Sequence, residues 1–88
     1  MDKRMGFVGI IIGDRAMAPQ VNAVLSDFGD IINGRIGVPD HRTGQSVIGL
    51  IVEGSNDTLG ALTGRLGNLK GVECKAALTK KKENKYEQ

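Results

Sequence analysis

Apolar residues along this chain fall into two registers. Gly6 to Ile12 and Ser46 to Glu53 are short runs dense in β-branched residues, Phe7-Val8-Gly9-Ile10-Ile11-Ile12 and Val47-Ile48-Gly49-Leu50-Ile51-Val52. Their length and composition predict strands. After each run the spacing changes to that of a helix. Met17, Val21, Val24, Leu25 and Phe28 recur at helical intervals, as do Leu59, Leu62, Leu66 and Leu69. Pro19 suits a first helical turn, so regular helix is expected to start near it. Gly29-Asp30 and Gly71 are stop signals, and Ile31–Pro39 and Val72–Thr79 then predict two more strands. Pro39 to Gly44 predicts a turn or hairpin loop, and Ser55 or Asn56 a cap with Asp57 in the first helical turn.

The pattern is a strand–helix–strand unit written twice, with an offset of 40 between Val8 and Ile48. A duplicated unit of this size predicts an α+β ferredoxin-like βαββαβ sandwich, two helices on one face of a four-stranded antiparallel sheet. Residues 6–79 form the expected domain, and 80–88 a polar tail, frayed or a short helix. Alternation along the strands places Val8, Ile10, Ile12, Ile48, Leu50 and Val52 toward the helices, joined by Ile32, Ile36, Val72 and Leu78. The other face then carries Phe7, Ile11, Val47 and Ile51 around Gly9 and Gly49, with Asn33, Arg35, Glu73 and Lys75 as a charged rim. An apolar centre inside such a rim predicts an interface. The alternative is scattered surface Ile and Val, which small sheets tolerate.

Charge and composition narrow the function classes. Residues 1–79 hold eight basic and eight acidic side chains; the net charge of +2 comes from four Lys and two Glu in residues 80–88. A neutral body with a basic tail and only Phe7, Phe28 and Tyr86 as aromatics argues against base stacking and specific nucleic-acid recognition. One Cys excludes an internal disulfide and suits a reducing cytosol, so a cytoplasmic location is expected. The apolar runs are too short for a membrane span.

No catalytic constellation is present, so no enzymatic activity is expected. His41 and Cys74, the only soft ligands, make no metal site within one chain. Gly60, Gly64 and Gly67 lie inside the second helix and predict close approach to the sheet or to another subunit; their spacing is not that of a phosphate-binding loop. Arg35 is expected on the interface side, binding an anion across a boundary or pairing with Glu73 or Asp30.

Val21-Asn22, Gly29-Asp30-Ile31-Ile32, Gly34-Arg35-Ile36-Gly37-Val38-Pro39, Val47-Ile48, the run Asn56–Gly67 and Gly71-Val72 together resemble the family of iron-only hydrogenase system regulators. The resemblance covers residues 6–79, and Asp57–Gly67 is its most specific part. It is similar in turn to ACT domains and to the C-terminal domain of nickel-responsive repressors. The resemblance implies a regulatory, ligand-sensing homo-oligomer, dimer or tetramer, with a small molecule or amino acid bound at subunit boundaries and no cofactor. It implies a ligand-binding loop at Gly13-Asp14-Arg15, with Asn56 and Asp57 in its pseudo-repeat. Asp14 would receive an amine, and Arg15 or Arg35 a carboxylate. The repressors' His-rich ligand set is missing, and the residues ahead of Gly6 are expected to hold no DNA-binding segment. The rivals are a protein–protein adaptor for metallocluster assembly, a metal-responsive regulator with sites between subunits, and an RNA-binding domain, which the scarce aromatics disfavour.

Overall fold

The computed structural model describes residues 3–79. Strand β1 runs Arg4–Ile12, helix α1 Ala18–Asp27, strand β2 Ile32–Asp40, strand β3 Gln45–Gly54, helix α2 Asn56–Gly67 and strand β4 Val72–Leu78. The sheet order is β2-β3-β1-β4 with every neighbouring pair antiparallel. The two β-branched runs are therefore the central strands, and the fold is the expected α+β ferredoxin-like sandwich. The tail at 80–88 lies outside the described residues.

Local chemistry sets the element ends. A short 3-10 turn over Arg15–Met17 precedes α1, and the Asp14 carboxylate accepts a hydrogen bond from the Ala16 amide at 3.0 Å. Pro19 then occupies the first turn of α1, where its missing N–H costs nothing. Ser55, rather than Asn56, caps α2, its hydroxyl accepting from the Thr58 amide at 3.2 Å. In the hairpin after β2, the Asp40 carboxylate accepts from the Arg42 amide and the Thr43 hydroxyl. Gly71, at φ +75°, makes the left-handed turn into β4.

The core lies between the sheet and the helices. Val8, Ile10, Ile12, Ile48, Leu50 and Val52 meet Val21, Val24 and Leu25 of α1 and Leu59, Leu62 and Leu66 of α2. All thirteen buried apolar residues among the described residues belong to this one cluster.

Strand β2 departs from simple alternation. Its register with β3 shifts between Ile32 and Gly34, so Asn33 is an extra residue in the ladder. Every later side chain changes face. Ile36, expected in the core, pairs with Gly49 and is 67 % exposed on the opposite face. Arg35, expected on that face, pairs with the helix-facing Leu50 instead.

Candidate functional site

The sheet face away from the helices is the most unusual surface of the molecule. Met5, Phe7 and Ile11 of β1, Val47 and Ile51 of β3, and Ile36 and Val38 of β2 all stand on it and all are exposed. The ladder places them in rows: Phe7 lies between Ile51 and Ala77, Gly9 between Gly49 and Lys75, and Ile11 between Val47 and Glu73. Ile36 extends the Gly9–Gly49 row and Val38 the Ile11–Val47 row. Charge stands around the patch, Glu73 and Lys75 on β4, Glu53 beside Met5 and Asp40 beside Gln45, and the bulge in β2 makes the apolar patch wider than alternation alone predicts.

The paired glycines at the centre have a local purpose. A Cβ on Gly49 would lie 2.9 Å from Cε1 of Phe7, and one on Gly9 would lie 3.1 Å from Cε2. The Phe7 ring therefore lies over both glycines, covering backbone that they leave bare. Beside it is an open dent of about 200 Å³, bounded by Phe7, Gly9, Ile11 and Val47, with Glu73 and Lys75 at its rim.

The expected ligand residues do not converge within one protomer. Gly13, Asp14 and Arg15 follow Ile12, which pairs with Ser46 and Val72 at one end of the sheet. Asn56 and Asp57 follow Gly54, which pairs with Arg4 at the other. The ends are about 26 Å apart at roughly 3.3 Å per strand residue. Arg35 is at neither end: it sits on the helix side, donating from Nη2 to Oδ1 of Asn22 in α1 at 2.8 Å. Its expected pairing with Glu73 or Asp30 is replaced by this bond. Asp14 is already engaged as a cap.

Other candidates resolve locally. Arg65 reaches across the helices to Asp27 at 2.9 Å and stacks over Phe28 at 5.6 Å from the ring centre, tying α2 to α1. Among the described residues no cluster of three or more His, Cys, Asp or Glu side chains is placed to hold a metal ion. Cys74 pairs with Ile10 and so faces the helices; burial pushes its thiol above the usual value of 9.0. It is expected to react with iodoacetamide more slowly than a free cysteine at pH 8, with the pH–rate inflection above 9.0. An inflection below that would place an unrecognised cation beside it.

Gly60, Gly64 and Gly67 do not approach the sheet: a Cβ on any of them meets nothing within 4 Å. In the isolated chain Gly64→Ala is therefore expected to raise stability by about 0.5–1 kcal/mol, read from a chemical denaturation midpoint at unchanged slope. A loss of stability would mean that this stripe is covered.

Comparison with known proteins adds the family. Residues 4–76 match the TM1266-like family, described as "Iron-only hydrogenase system regulator, putative". The chain belongs to this family. The structure of TM1266 from Thermotoga maritima is 38 % identical, covers 90 % of this chain and 100 % of its own, and superposes with a TM-score of 0.85. The ACT domain from the GTP pyrophosphokinase of Chlorobium tepidum superposes at 0.60 with 23 % identity, over 90 % of this chain and 89 % of that domain. A formyltetrahydrofolate deformylase from Pseudomonas syringae contains the same fold, at 0.63 and 12 % identity, over 85 % of this chain and 27 % of the enzyme. These last two are likenesses of fold, and that fold occurs in both a pyrophosphokinase and a deformylase. A comparison with curated proteins finds no match. No helix among the described residues is long and apolar enough to cross a membrane.

Proposed function

We propose that this chain is a non-enzymatic regulatory domain of an iron-only hydrogenase system that works as a homo-oligomer, with the outer sheet face as its self-association surface. The observation that carries this is the contiguous patch of seven large apolar side chains exposed on a single face, with Asp40, Glu53, Glu73 and Lys75 around it. A patch of this kind is costly to leave in water, and burying it can supply several kcal/mol at about 25 cal/mol per Å², less the cost of association. Family membership supports the regulatory role.

The sensing part of the proposal puts a small molecule or amino acid at a boundary between copies. Gly13–Arg15 or Asn56–Asp57 of one copy would meet a neighbour there, since the two loops are too far apart to share a ligand within one protomer. Any effect on transcription then runs through a partner, because the neutral body offers DNA no basic reading element.

Sedimentation at micromolar concentration tests the association: a species of 9.4 kDa alone overturns it. A thermal-shift series with amino acids and divalent metals tests sensing, because a ligand that binds only the folded state raises Tm with concentration. A flat series would favour the adaptor for metallocluster assembly.

A further inference from the structure

We infer that two copies stack sheet to sheet about a two-fold axis running along the strands, so that Ile36 and Val38 of each copy close over the β4 side of the dent beside Phe7 in the other. The inference rests on the outer face being the self-association surface, and it fixes which residues meet there.

The face has a projection and a recess on opposite sides. Ile36 and Val38 stand proud on β2, at 67 % and 61 % exposed. The dent lies over β1, with Val47 of β3 on one side and Glu73 and Lys75 of β4 on the other. A two-fold axis along the strands, near the junction of β3 and β1, carries β2 of one copy over β4 and the dent of the other. It also sets Phe7 over Ile51 and Ile11 over Val47 at the centre, with Met5 over Glu53 and Val38 over Glu73 at the edges. The aliphatic stem of Lys75 then lies against Ile36, with its ammonium at the solvent edge.

A two-fold axis across the strands fits worse. Centred on the Gly9–Gly49 row, it places each Lys75 over its own counterpart and each dent over the other dent, which joins like charge to unfilled volume. Moved to bring Lys75 over Glu73, it slides Phe7 and Ile51 onto the row of Gln45 and Asp40 and takes them off the apolar patch. Four strands and the exposed rows give a footprint of roughly 20 by 25 Å, about 500 Å² per copy and about 1,000 Å² for the pair. That reaches the lower bound for a specific interface, so the match of projection to recess must be good.

Cross-linking separates the arrangements. In a Cys74→Ala background, Ile36→Cys and Lys75→Cys chains are prepared separately, mixed, and treated with a short bismaleimide, with sedimentation run on the same samples. The expected result is a covalent dimer in the mixture and none in Ile36→Cys alone, because the two β2 strands lie at opposite edges, about 14 Å apart laterally. Linking of Ile36→Cys to itself, or no link in a mixture that sediments as a dimer, overturns the arrangement while self-association stands. A mixture and a parent protein that both sediment as monomers overturn both.

Discussion

Ile51→Asp is expected to abolish self-association while leaving the fold nearly untouched. Ile51 stands on the outer face, paired with Phe7 on one side and Gly34 on the other, and is 44 % exposed in the isolated chain. A two-fold interface contains each substitution twice. Each aspartate removes part of a burial worth about 1.5–3 kcal/mol and adds a carboxylate that must be desolvated without a partner, at several kcal/mol. The dissociation constant should rise by at least about a hundredfold. Monomer stability, measured where the parent protein is dissociated, should change by no more than about 0.5 kcal/mol, because the face contributes nothing to the core. A variant that still associates, or that unfolds early at such dilution, would show that the outer face is not the association surface.

The fold was readable because three signals agreed: run length, the switch between the two spacings, and stop residues. Pro19, Gly71 and the cap at Ser55 all stand where the sequence puts a boundary. The misplacement of Ile36 and Arg35 has one cause. A single extra residue in β2 reverses the parity of all that follow, and nothing in Ile31–Pro39 marks it, since Gly34 and Gly37 leave too few side chains to reveal which face is which. The consequence matters for function: the slip moves Ile36 and Val38 onto the association face and gives Arg35 to α1.

The candidate ligand site was less readable for a geometric reason. Gly13–Arg15 and Ser55–Asp57 are equivalent positions in the two halves of the repeat. The halves are joined through antiparallel β1 and β3, so equivalent loops necessarily emerge at opposite ends of the sheet. Sequence equivalence there means pseudo-symmetry, not proximity. Gly9 and Gly49 are also equivalent, but they lie at the centre of the same pairing and do meet. What the sequence could not show is that the nearest large group over them is the chain's own Phe7.

Leu62→Ala is expected to produce the complementary result. Leu62 is 0 % exposed, at the middle of α2, in the cluster with Ile10, Leu50 and Val21. Its truncation deletes buried methyl groups and leaves a cavity that two short helices on a stiff sheet cannot close, at a cost of about 2–5 kcal/mol. For a domain whose total stability is about 5–15 kcal/mol, that is a large fraction, visible as a lower denaturation midpoint with unchanged slope. The molecules that remain folded should associate as the parent does, because Leu62 and Ile51 lie on opposite sides of one sheet. Together the two variants test the central claim that this sheet is apolar on both faces for different reasons, one face closing the core and the other meeting a second copy. Leu62→Ala that stays fully stable would misplace the core. Leu62→Ala that folds but no longer associates would mean that helix packing controls the outer face, and the two faces could no longer be treated as independent.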